Sequence, residues 1–195
     1  MAITYPLSLP TATGIKNISW RTTNAVAYSM SPFTFQGQAH AYSGQRWSAD
    51  IDLPPMKRAQ AEQWIAFLIS LRGPFGTFYL YDPDGRTPQG TATTLTVSGS
   101  TGQNSVTGVS NGTLKAGDYF QIGTGSSSRL YKVLVDKTAG SNTMEIWPSL
   151  RADASSESAD LTDASGVFML EGQGMQWSAD EVKYQGISFS AIERL

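Results

Sequence analysis

The stretch LPPMKRAQAEQWIAFLISLRGP, residues 53–74, decides the fold because it holds the clearest element of the chain, a helix. The proline pair at its start fits the first turn of a helix, where the backbone N–H has no partner to lose. Apolar residues then recur at the spacing of one helical face, and a Gly-Pro pair supplies the stop signal. We expect four large side chains to face a sheet: Trp64, Phe67, Leu68 and Leu71.

On both sides of the helix, polar and apolar residues alternate with the period of two that is typical of half-buried strands. Before residue 82 the predicted strands are Ile15–Arg21, Ser48–Leu53 and Thr77–Tyr81. The following DPDG sequence, residues 82–85, predicts a turn, because Asp caps, Pro fixes φ and Gly accepts positive φ. The alternation returns after residue 174, where two more strands are predicted: Met175–Val182 and Tyr184–Ile192.

The middle of the chain is rich in Thr, Ser and Gly and is interrupted by turns. Its predicted strands are Thr94–Val97, Asp118–Ile122, Arg129–Val135 and Met144–Trp147. Evenly spaced short strands are typical of a small barrel or sandwich. The polar, acidic segment Arg151–Asp163 is predicted to be a long surface loop.

These patterns predict a mainly β protein in which one domain interrupts another. Residues 1–86 and 173–195 are predicted to form a β-rich domain with one α-helix, which we call the belt. Residues 87–172 are predicted to form a small inserted β-barrel domain.

Composition excludes several classes of function. The chain has 14 basic and 16 acidic residues, a formal net charge of −2. The basic residues are scattered and form no stripe of the kind that neutralises phosphates, so we do not expect sequence-specific nucleic-acid binding. The absence of cysteine excludes disulfides, thiolate metal sites and a Cys nucleophile. We also expect no membrane partner, because no apolar stretch is long enough to cross a bilayer and the first residues lack the features of a signal peptide.

The inventory of catalytic groups is poor. His40 is the single histidine, no Gly-x-Ser-x-Gly elbow is present, and we expect His40 to lie on the surface. Asp50 and Asp52 share a strand face but more simply serve the turn before the helix. Asp82 and Asp84 resemble the start of a calcium loop that the next residues do not continue. We therefore predict no enzyme, no catalytic residue, no metal site and no cofactor.

Three aromatic residues of the insert allow two interpretations. Tyr119, Tyr131 and Trp147 could form a platform for a saccharide, or they could be core and rim residues of a small barrel. The second interpretation is the more common fate of aromatic residues in such a domain.

The segment Thr22–Phe35 is predicted to be a long loop, because it shows neither helical nor strand periodicity. An apolar loop of this length needs a partner surface. Our hypothesis is that it forms a subunit interface through four residues: Val26, Tyr28, Met30 and Phe33.

Several segments resemble a known family when they are taken together and in order. They are MSPFT (30–34), GQRW (44–47), LPPM (53–56), GPFGTF (73–78), DP (82–83), LKAGDY (114–119), IWPSLR (146–151) and YQGISFSAIE (184–193). Over nearly the whole chain, this order is similar to that of siphophage distal tail proteins. The resemblance implies a belt that closes into a six-fold ring below the tail tube. It also implies an insert outside that ring, with the oligonucleotide/oligosaccharide-binding (OB) type of barrel or a galectin-like sandwich.

The function implied by the resemblance is mechanical and carries no catalytic residues. The chain would connect the tail tube to the hub and receptor-binding parts at the tip of a virion tail, after assembly in the host cytoplasm. The implied partners are further copies in a homo-hexamer, the tail tube protein and the tail hub protein, with the tape measure protein and a host saccharide as further candidates. The alternative is a carbohydrate-binding module that contacts host saccharide through the barrel, and a wall-degrading enzyme ranks third.

Overall fold

The computed structural model describes residues 3–11, 14–174, 177–179, 184–185 and 187–195, and it confirms a mainly β chain with one α-helix and a closed barrel. Its strands are β1 Asn17–Met30, β2 Gly37–Asp52, β3 Thr77–Leu80, β4 Leu95–Gly99, β5 Ser105–Ser110, β6 Tyr119–Ile122, β7 Arg129–Val133, β8 Gly140–Trp147, β9 Ala154–Asp160, β10 Gly166–Leu170, β11 Ser178–Ala179, β12 Tyr184–Gln185 and β13 Ser188–Glu193. Helix α1 spans Arg58–Ser70, and short 3-10 helices span Gly73–Phe75, Pro83–Gly85 and Gly125–Ser127.

The belt is a five-stranded antiparallel sheet covered by α1. Its strands lie in the order β1-β2-β13-β10-β3. The helix packs on this sheet through aromatic contacts: Trp64 meets Phe189 of β13 at 6.3 Å between ring centroids, and Phe67 meets Phe78 of β3 at 5.7 Å. Trp64, Phe67, Leu68 and Leu71 all belong to the buried core, which confirms the predicted face of the helix.

The first two strands form a hairpin much longer than the sequence indicated. β1 pairs with β2 from Asn17↔Asp52 to Met30↔Gly37, with a bulge between Asn24 and Val26. The prediction of a loop over Thr22–Phe35 is therefore wrong as far as Met30. The loop prediction failed because hydrogen bonds to β2 hold the strand outside the core, where no burial imposes a strong apolar pattern on the segment.

The barrel is closed in the order β4-β5-β8-β7-β6-β9, and β9 pairs back onto β4. The prediction of a surface loop over Arg151–Asp163 is wrong, because residues 154–160 form β9. Ala154 and Ala159 are its buried positions, so its inward face has none of the large apolar residues that make a strand visible in a sequence. β5, with the sequence SVTGVS, was missed because Val106 is the single large apolar residue among its buried positions, the others being Gly108 and Ser110.

β10 belongs to the belt sheet although it lies within the predicted insert. It pairs with β13 on one side and with β3 on the other. The barrel strands run from Leu95 to Asp160, so the sheet resumes earlier than the predicted boundary at residue 172. Most of the predicted strand Met175–Val182 lies outside the described residues, which include only 177–179 with the short β11. The division into two domains itself stays a prediction.

Barrel and belt share a packed junction. Tyr119 of β6 and Leu130 of β7 belong to the core cluster of the belt, and Trp47 of β2 donates from its indole N–H to the Leu130 carbonyl at 3.0 Å. The Trp47 ring also meets Trp147 of β8 edge-on, at 4.4 Å between centroids. The barrel therefore packs directly on the sheet at the base of the hairpin.

Candidate functional site

The outer part of the hairpin, residues 22–45, forms an arm whose base meets the junction and whose remainder stands in solvent. From residue 22 to residue 44 every residue except Ser31 is exposed. These include large hydrophobic side chains: Val26 at 51%, Tyr28 at 65%, Met30 at 49%, Phe33 at 91%, Phe35 at 73% and Tyr42 at 59%. The four residues predicted to form an interface are thus brought together on one exposed element.

The arm has one apolar face. Residues directly opposite each other on paired strands point to the same side. Val26 lies opposite Ala41, Tyr28 opposite Ala39 and Met30 opposite Gly37. Large side chains of β1 therefore form a ridge beside a row of small residues on β2. Side chains from Thr22 to Gln45 also include no Asp, Glu, Lys or Arg, so burying the arm would desolvate no formal charge.

Gly37 allows the ridge to lie flat on the arm. A Cβ atom at Gly37 would lie 2.5 Å from the Tyr28 hydroxyl oxygen and 2.8 Å from a ring carbon. The Tyr28 ring therefore extends across the hairpin toward β2 and covers the backbone at Gly37. This placement keeps the ring on the apolar face.

The tip of the arm presents two phenylalanines. Ser31 N donates to the Gln36 carbonyl at 2.9 Å and Phe35 N to the Ser31 carbonyl at 3.0 Å, which closes the turn. Phe35 adopts φ 56°, a left-handed conformation that a bulky side chain rarely takes. Strained backbone of this kind concentrates at functional sites, and here the strained residue carries an exposed aromatic side chain.

The three aromatic residues considered as a saccharide platform do not form one. Tyr119 is 5% exposed and Tyr131 is 2% exposed, in two different core clusters. Trp147 is half-buried against Trp47 and donates to the Asn24 side chain at 2.9 Å. Burial raises the pKa of both tyrosine hydroxyls. The three residues therefore lie in the core and at the junction. This is the common outcome, since aromatic rings supply much of the buried area in a small barrel.

The polar residues considered for catalysis have structural partners. His40 is exposed, and its ring lies 4.8 Å from that of Tyr42 between centroids. Asp50 accepts from Arg21 at 3.0 Å and from the Ser190 hydroxyl at 2.6 Å. Asp82 accepts from the Asp84 backbone N–H at 3.1 Å, which confirms the predicted turn. Among the described residues, no group of three or more His, Asp or Glu side chains could hold a metal ion.

The junction contains a buried ion pair that the sequence did not reveal. Arg151 donates to Glu193 Oε2 at 2.8 Å, and their side chains are 14% and 1% exposed. The same carboxylate oxygen accepts from Trp47 N at 3.2 Å, while Arg151 also donates to the Gln45 carbonyl at 2.7 Å. Burial raises the pKa of Glu193, against the opposing influence of Arg151. The pair ties the barrel, the last belt strand and the base of the arm to one another.

A cleft of about 530 Å³ lies at the other end of β1. Its apolar lining comes from Leu9, Pro10, Ile15, Trp64, Tyr79 and Tyr81. Its two charged lining residues, Arg86 and Asp163, form an ion pair with 2.5 Å between Nε and Oδ1. The Arg86 guanidinium also lies 5.4 Å from the centroid of the Tyr81 ring. The cleft therefore has a mixed apolar and polar lining and carries no net charge.

Comparison with known proteins assigns no family: no family model matches this chain, and no curated protein matches it. No helix of the described residues is long and apolar enough to cross a membrane. The functional interpretation therefore depends on the arm, the junction and the cleft. Sequence reasoning missed Phe35 and Tyr42 as exposed residues, although the uncharged stretch around them is a signal that could have drawn attention to both.

Proposed function

We propose that this chain is a structural component of the tail tip of a long-tailed bacteriophage, where copies of it form a ring that connects the tail tube to the hub and receptor-binding parts. The observation that carries the proposal is the arm: a protruding, uncharged hairpin with an apolar face that the chain itself leaves in water. An exposed surface of this kind is typical of a protein–protein interface.

The arm suits assembly better than catalysis or ligand binding. Tyr, Phe and Met are enriched at the cores of interfaces, where charged residues are depleted. Tyr28 and Phe33 offer rigid aromatic area, and the hydrogen-bonded hairpin loses little conformational entropy on docking. In this proposal the belt forms the ring, and the barrel lies outside it in the position of the OB-type insert of distal tail proteins.

The proposed ring would also cover an exposed strand edge. β1 lies at the edge of the five-stranded sheet, so one row of its backbone groups is unpaired within the sheet. Long exposed edges promote association unless something covers them. A neighbouring copy in a closed ring would cover both the edge and the apolar face of the arm.

The test is the assembly state of the purified chain, measured by mass photometry and negative-stain electron microscopy. We expect the wild type to form a six-fold ring and the variant Tyr28→Ser/Phe33→Ser to be a folded monomer by circular dichroism. Val109→Ser is the matched control, because Val109 is 46% exposed on the outside of the barrel, away from the arm. A wild type that stays monomeric at high concentration would count against the ring, and rings that survive the arm variant would count against the arm.

The alternative is a saccharide-binding barrel, which we rank lower because two of its three aromatic residues, Tyr119 and Tyr131, are buried. A glycan array with the wild-type chain tests it directly. Binding that depends on Trp147 would restore this alternative, whereas we expect no binding.

A further inference from the structure

We propose that the arm tip of one copy, with Phe33 and Phe35, docks into the cleft of a second copy, so that the subunits join head to tail. This inference rests on the proposed ring and names the two surfaces that make it. The tip supplies two exposed aromatic rings, and the apolar part of the cleft lining includes Leu9, Pro10, Tyr79 and Tyr81.

The first argument is distance. At about 3.3 Å per residue, a strand of this length spans roughly 40 Å. The cleft includes Gly14 and Ile15, just before the first residue of β1, and the tip begins just after Met30, its last. The tip and the cleft therefore lie at opposite ends of β1. The tip therefore cannot reach the cleft of its own chain, and we assign the cleft to the tip of another copy.

The second argument is symmetry. A contact between two different surfaces of the same chain is heterologous, and its repetition gives a closed ring or an open filament. A contact of the arm with a second arm would be isologous and would end at a dimer. Because the tip and the cleft are different surfaces, their pairing is the kind that a ring requires.

The third argument is chemical fit. Residues 22–45 have no formal charge, and the charged pair in the cleft neutralises itself. Neither surface thus brings an unpaired charge into the contact, which would be costly to bury. Aromatic anchors in a pocket are the usual centre of an interface. A cleft of about 530 Å³ is also within the size range that pockets for compact ligands show.

The absence of cysteine from the chain makes a cross-linking test simple. Thr34→Cys places a thiol between the two tip phenylalanines, and Ser8→Cys places one at the exposed rim of the cleft. When the two single variants are mixed and oxidised, we expect a disulfide between positions 8 and 34 of different chains, identified by mass spectrometry. Ser105→Cys, exposed on the barrel, replaces Ser8→Cys in the control and should give no link above background.

Complementation tests the head-to-tail arrangement itself. Phe33→Asp should disable the tip and Ser8→Arg should obstruct the cleft, and each variant alone should lose ring formation by about tenfold or more. Their mixture still contains one intact tip and one intact cleft, so it should form heterodimers and stop there. Circular dichroism checks that both variants are folded, as we expect.

The outcomes separate this inference from the ring proposal. If the wild type forms rings but gives no link between positions 8 and 34, and Ser8→Arg leaves the rings intact, the ring stands and the cleft is not the acceptor. A monomeric wild type removes both. If the tip instead causes the chain to sediment with phosphatidylcholine vesicles in a manner that depends on Phe33, while no link forms, the tip belongs to a lipid surface and the inference is overturned.

Discussion

Replacing Arg151 by alanine should destabilise the protein strongly, because it leaves a buried carboxylate without a charged partner. Glu193 is 1% exposed, and its Oε1 atom has no hydrogen-bond partner among the described residues. After the substitution the carboxylate would keep the Trp47 N–H at 3.2 Å. Removing one partner of a buried ion pair costs about 3–5 kcal/mol. That is a large share of the roughly 5–15 kcal/mol by which domains are stable.

The stability lost on replacing Arg151 by alanine should depend on pH, in a direction set by the pKa of Glu193. Burial raises the pKa of Glu193, while Arg151 lowers it by charge and by hydrogen bonding. Without Arg151 the pKa in the folded state rises further above its value in the unfolded chain. The ionised carboxylate then disfavours the folded state at pH values above the folded pKa. The destabilisation should be greatest near neutral pH and should shrink as the pH falls through the folded pKa toward the ordinary carboxyl value.

The assay is equilibrium unfolding in urea, followed by far-UV circular dichroism near neutral pH and again at about pH 4, close to the ordinary pKa of a Glu side chain. Lys115→Ala is the matched control, since Lys115 pairs with Asp136 at 2.7 Å but both side chains are more than half exposed. Its unfolding midpoint should stay close to that of the wild type. A loss for Arg151→Ala of less than about 1 kcal/mol, or one that is the same at both pH values, would refute the role assigned to the buried pair.

Three further predictions concern the core and the barrel. Asp118→Ala removes a carboxylate that accepts from Gln89 N at 2.7 Å, Gly90 N at 3.2 Å and Lys115 N at 2.8 Å, so the free energy of unfolding in urea should fall by about 3 kcal/mol. Phe67→Ala should cost about 3–5 kcal/mol in the same assay, whereas the exposed Ile69→Ala should change little. A Gly/Ser linker in place of residues 88–171 would remove β10, the strand that joins β3 to the sheet. Circular dichroism should therefore show an unfolded belt, and a folded belt would support the domain boundary drawn from the sequence.

The helix, the turn at residues 82–85 and several strands could be predicted from local sequence patterns. The helix was visible because residues 56–71 repeat apolar side chains on one face and because a proline pair and a Gly-Pro pair bracket them. The turn at residues 82–85 was visible because its chemistry is local: Asp82 accepts the N–H two residues later. The strands that were predicted correctly carry large apolar residues on the face that the core buries, as Phe189 and Phe78 do.

Only the tertiary structure decided which segments become strands through hydrogen bonds to neighbouring strands rather than through burial of large apolar side chains. The sequence ASSESAD becomes β9 because β4 and β6 supply hydrogen-bond partners from both sides, and nothing within those residues indicates such partners. The outer half of β1 is a strand because β2 returns beside it, although neither strand meets the core there.

The same division holds for the candidate site. The sequence by itself determined that residues 22–45 carry no formal charge and include large apolar side chains, since composition is a local property. Which of those side chains share a face is set by the register with β2, and register depends on a bulge and a turn that position the whole hairpin. The pairing of Arg151 with Glu193 likewise joins residues 42 positions apart, and only packing of the barrel on the belt brings them within 2.8 Å.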